Sequence, residues 1–187
     1  MAMAAVDNLP RSAERDDPRW DDATEEHRTA LAALLDAVEE LRDDAWAAPW
    51  AAGKWTRAQV AEHLVLTYEA AIRELTSGEA MPVKVPPFRR KLLRWLLLPH
   101  ILFHRSIPGR PRSPRQLRPG EVTATRAELL LRLRELGERF EHEMERGYRS
   151  GTARLTHPYF GEIGAVKGMR FMAVHLEHHT RQITPRN

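Results

Sequence analysis

The chain has 187 residues, 42% of them hydrophobic, a net charge of +3 with its histidines neutral, and no cysteine. That length suits one domain with a full core, and the missing cysteine excludes disulfides, thiolate metal sites and a cysteine nucleophile. The longest apolar stretch, Leu92 to Phe103, contains Arg94, Pro99 and His100 and is shorter than the roughly 20 residues that span a bilayer, which excludes a transmembrane helix.

Residues 1–20 read as a flexible polar segment, with no basic region followed by an apolar one, so a secretory signal is not expected and the cytoplasm is the natural location. A single domain is expected over 21–187. The first helix is expected from about Asp22 to Arg42, where Leu31, Leu34, Leu35, Val38 and Leu41 form one apolar stripe. A connection containing Trp46, Trp50 and Trp55 follows, with the tryptophans expected to cap the bundle end or, alternatively, to line a pocket. Thr56 to Gln59 forms a capping box, so a second helix is expected from Arg57 to about Leu75, stopped by Gly78.

Residues 82–120 hold eight of the thirteen prolines and ten Lys or Arg with no acid, which leaves the rest of the chain at net −7. This basic stretch reads as a long crossover, in which Phe88 to Leu98 can form a short cationic amphipathic helix ending at Pro99. A second capping box, Thr125 to Glu128, starts a third helix expected to end at Gly147, and a fourth runs from Ala165 to about Ile183, stopped by Pro185. No segment shows the alternation of a strand. The expected fold is all-α, a four-helix bundle with a long basic crossover between helices two and three.

Of nine histidines, His175, His178 and His179 lie within five residues on the last helix. Positions four apart share a face, so His175 and His179 can present their imidazoles to one point, whereas His178 is rotated by about 100°. His100 and His104 are also four apart but lie in the crossover and read as structural. Two buried imidazoles side by side need a partner, and a metal with a third ligand from a neighbouring helix serves; His63 on the second helix is the natural candidate.

These residues resemble the DinB-like superfamily of four-helix bundles. The resemblance lies in Trp55-Thr56-Arg57-Ala58-Gln59 before His63, in His157-Pro158-Tyr159-Phe160-Gly161 before the last helix, and in His175-Leu176-Glu177-His178-His179 leading to Gln182-Ile183. It implies that His63, His175 and His179 hold a divalent metal, and imidazole ligands suit zinc first, with nickel or iron behind. Three neutral imidazoles leave an open coordination position, the mark of a catalytic rather than a closed structural site. Members of the superfamily include bacillithiol S-transferases and mycothiol-dependent maleylpyruvate isomerase, so the resemblance implies activation of a low-molecular-weight thiol co-substrate. A metal-dependent hydrolase and a non-enzymatic metal-binding or dimer-forming bundle are the alternatives.

No catalytic residue is assigned. Glu62 and Glu177 neighbour ligands but face other ways, and His157 is a candidate substrate contact. The basic crossover is expected to pair with the acidic first helix or to bind an anionic small molecule, and its leucines to pack in the core or form a homodimer. Neither nucleic-acid binding nor membrane-surface contact is expected.

Overall fold

The computed structural model describes residues 17–109 and 113–184. Four long helices form the bundle: α1 (Pro18–Glu39), α3 (Arg57–Ser77), α5 (Arg126–Arg149) and α6 (Ala165–Ile183). A short α2 (Asp43–Ala47) lies in the tryptophan-rich connection and α4 (Pro87–His104) in the crossover. The helix α1 packs along α6 and also against α5, while α3 packs along α5 and reaches α6. Helices α1 and α3, consecutive among the four, are therefore diagonal across the core. The long connection 78–125 returns the chain from the end of α3 to the end of the bundle where α3 starts, so that the neighbours α3 and α5 run parallel.

Both capping boxes form. Thr56 Oγ1 accepts from the Gln59 amide at 3.1 Å while Gln59 Oε1 accepts from the Thr56 amide at 3.0 Å. Thr125 and Glu128 do the same at the start of α5. Because the Thr56 cap fixes the start of the helix that carries His63, Thr56→Ala is expected to cost about 1 kcal/mol, read from urea unfolding midpoints. Gly78, with φ of +75°, ends α3 as its position suggests.

Several boundaries differ from the sequence expectation. The helix α1 begins at Pro18, inside the segment expected to be flexible, because the Asp17 side chain caps it and Trp20 is buried, stacked on Tyr148 at 4.4 Å. Residues 1–16 and Pro185 lie outside the described residues. The same helix ends at Glu39 rather than Arg42, since Arg42 is extended and immediately precedes α2. Gly147 lies within α5 rather than ending it. A Cβ there would stand 2.8 Å from that of Ala153, where the chain folds back on the helix.

Pro99 does not end α4, which continues to His104. It deprives the Trp95 carbonyl of its helical partner, but both residues are exposed, where water replaces the bond. The turn after α4 uses Arg105 at φ +48°, whose guanidinium grips Glu177 of α6 and Glu26 of α1. Among the described residues of the crossover, Arg105 alone makes ion pairs, so the expected broad pairing of this basic segment with the first helix reduces to a single clamp.

An unexpected hairpin, β1 (Arg154–His157) with β2 (Gly161–Gly164), precedes α6, pairing Leu155 with Ile163 and His157 with Gly161. Strands of four residues are too short for alternation to be visible. Gly161, at φ +68°, closes the turn as glycine readily does. The Thr156 amide donates to Glu74 of α3, which ties the hairpin to the bundle.

Candidate metal centre

His63 lies two turns into α3, and its helix is registered against α6 by Arg57. The buried Arg57 guanidinium donates from Nε to the Ile183 carbonyl at 2.8 Å, satisfying an orphan carbonyl at the C-terminus of α6. This contact joins the start of one ligand-bearing helix to the end of the other. It was not visible in the sequence, where Arg57 is only the first residue after a cap.

His63, His175 and His179 meet. Their Nε2 atoms are 3.4 Å apart between His63 and His175 and 3.0 Å between His175 and His179, and the three ligating atoms lie within 4.8 Å of one another. Nitrogens bound tetrahedrally to zinc at the usual bond length stand about 3.3 Å apart. The opposite nitrogens are held: His63 Nδ1–H donates to the Leu117 carbonyl at 2.7 Å and His179 Nδ1–H to Gln182 Oε1 at 2.9 Å. Both tautomers are thereby set with the Nε2 lone pair facing the common point, as happens when the far ring nitrogen of a metal-binding histidine is held by a hydrogen-bond acceptor.

A proton on His175 Nε2 can serve only one of its two neighbours, so one buried lone pair stays unmatched without a cation. Burial pushes the pKa of His63 below the usual histidine value, only partly opposed by the Leu117 bond. Burial likewise pushes His175 and His179 well below it, assisted by the neighbouring imidazoles. All three are neutral at pH 7, the form that binds metal. The donor set and its geometry fit a divalent ion.

The other histidines take different parts. His178 Nε2 accepts from Gln182 Nε2 at 3.0 Å, so it buttresses the residue that orients His179. His100 and His104 are exposed on α4, apart from the triad. Glu177 is engaged by Arg105, and among the described residues no carboxylate lines the two cavities described below, both of which reach the triad.

Those two cavities differ in character. One, of about 270 Å³, is apolar, lined by Leu93, Leu97 and Ile101 of α4, by Leu117, and by Phe160 and Phe171. The other, of about 820 Å³, is flanked by Trp50, Trp55, Lys54, Arg118 and His178. Both share His63 and His175. Two of the tryptophans therefore line a pocket rather than only capping the bundle, and Trp55 lies 5.2 Å from the His63 ring.

The DinB superfamily model matches residues 23–183. The chain belongs to the DinB superfamily. In structure this superfamily member resembles YfiT from Bacillus subtilis, a probable metal-dependent hydrolase with an unusual four-helix bundle topology, at 20% identity and a TM-score of 0.56. The match covers 96% of this chain and 91% of YfiT, and at such identity the likeness concerns the fold. No curated protein matches the chain significantly.

In this DinB superfamily member His157, at the end of β1, lines the apolar cavity, stacked on Phe160 at 4.5 Å. Its Nδ1 accepts from the Tyr159 amide at 3.3 Å, which leaves the proton on Nε2. Burial lowers its pKa to about 4. The unfolded chain takes up a proton near pH 6.5 and the folded one only near 4, so this contribution to stability is complete above 6.5 and lost as pH falls through that window. The full effect is about 3 kcal/mol. In urea unfolding, His157→Phe is expected to lose less stability than the wild type between neutral pH and pH near 4, and an equal loss in both would contradict this.

Proposed function

We propose that this protein is a metal-dependent enzyme in which His63, His175 and His179 hold one divalent ion and a low-molecular-weight thiol is the nucleophile. The convergence of three oriented Nε2 atoms carries the proposal. Zinc fits the nitrogen set and spacing, with nickel or iron as alternatives. When bound, such an ion supplies Lewis acidity, which favours the deprotonated form of a thiol or water and polarises a carbonyl.

The chain's residues divide the remaining work. Lys54 and Arg118, at the larger cavity, suit the carboxylate of a thiol co-substrate, since neither has an acidic partner among the described residues. The apolar cavity, walled by Leu97, Ile101 and Phe171, suits the uncharged body of an electrophile. His157 holds a proton at Nε2 for an oxygen of that molecule.

Hydrolysis is the second reading, favoured by what is said of YfiT. It calls for a base beside the attacking water, and among the described residues lining the two cavities there is no carboxylate to serve, which favours the thiol. The test supplies metal-loaded protein with bacillithiol, mycothiol or glutathione and a haloarene or maleylpyruvate, and separately with ester substrates and no thiol. Thiol-dependent turnover that His175→Ala abolishes is expected. Thiol-independent ester hydrolysis would establish the second reading instead, and no turnover in either arm would leave a non-enzymatic metal-binding bundle.

A further inference from the structure

Helix α4 is apolar on two opposite faces. Leu97, Leu98 and Ile101 turn inward to the cavity and the bundle. On the other side Phe88, Leu92, Trp95, Leu96 and Phe103 are 77%, 51%, 73%, 65% and 83% exposed. At about 100° per residue these five fall within an arc of about 100°, forming one stripe that includes exposed Pro99. Exposed Arg89 and Lys91 border the stripe on its two sides. Single exposed apolar side chains are ordinary, but a contiguous aromatic and aliphatic stripe marks a contact surface.

Charge decides between two occupants. A second copy meeting this face symmetrically would set Arg89 and Lys91 against their own equivalents, with no acid in 82–120 to offset them. An anionic lipid surface satisfies both features, since the stripe enters the acyl boundary while the flanking cations stay among the headgroups. Trp95 and the two phenylalanines are the residue types that anchor there. Among the described residues no helix is long and apolar enough to cross a membrane, so α4 would lie in the plane of the surface.

We propose that the exposed face of α4 seats the protein on an anionic membrane surface. The attachment does not depend on the metal. Full-length protein is sedimented with phosphatidylcholine vesicles, with or without phosphatidylglycerol, at low and high salt, beside Trp95→Glu and Phe103→Glu. Both substitutions are at exposed positions outside the core, so folding is retained.

The wild type is expected to pellet with the anionic vesicles, with affinity about tenfold or more lower on neutral vesicles or at high salt. Each substitution is expected to weaken binding by a similar factor. Binding unaffected by the substitutions overturns the proposal, as does equal binding to neutral vesicles. Failure to bind any vesicle overturns it too. A dimer in sedimentation equilibrium that the same substitutions dissociate, with no vesicle binding, would assign the stripe to a second copy instead.

Discussion

Replacing His175 by alanine is expected to lower zinc affinity by about 100-fold or more, measured by competition with a chromophoric chelator. The loss of a direct ligand should exceed the 10- to 100-fold typical when an outer partner is removed. Gln182→Ala supplies the comparison, because it leaves all three imidazoles but frees His179 Nδ1 and His178. It is expected to fall within about 10- to 100-fold. His100→Ala, on the exposed side of α4, should leave affinity unchanged. If His175→Ala bound zinc as tightly as the wild type, the triad would not be the site.

The second large effect lies in the core and concerns stability alone. His27 is fully buried, with Nε2 2.8 Å from the Tyr68 hydroxyl and Nδ1 2.8 Å from Glu141 Oε1. Burial raises the Tyr68 pKa well above its ordinary value, so the phenol keeps its proton and donates it to Nε2. Burial also acts to raise Glu141, but the bonds from His27 and Arg28 outweigh it and hold the carboxyl below its usual value. The imidazole thus joins α1 to α3 and α5 through two satisfied bonds. His27→Ala leaves the buried Tyr68 hydroxyl without its acceptor and Glu141 with Arg28 as its one remaining partner, beside a cavity, at a cost of about 3 kcal/mol. Denaturant unfolding measures it, and a cost under about 1 kcal/mol would show that the network contributes little. Zinc affinity in the surviving folded protein should be unchanged.

The parts of this molecule legible in the sequence are those set by local signals. Capping boxes at Thr56 and Thr125 placed two helix starts, and four-residue spacing put His175 beside His179. The third corner, His63, was a candidate by its place on the second helix and by the resemblance, but its meeting with the last helix needed tertiary information. The reason is that α3 meets α6 through Arg57 and Ile183, a contact with no local pattern. The hairpin at 154–164 was missed because its strands are short. Pro99 was misread as a stop because its cost depends on whether the carbonyl it orphans faces water. The His27 network left no trace either, since a lone histidine on an apolar helix face carries no sign of the tyrosine and glutamate that will surround it.

The central claim is that the three Nε2 atoms hold a metal in the native protein. Elemental analysis of protein purified without a nickel column tests it most directly. Close to one equivalent of a divalent metal per chain is expected, lost in His63→Ala and His175→Ala alike. A wild type with only trace metal that also fails to take up zinc, or variants that keep a full equivalent, would contradict the account.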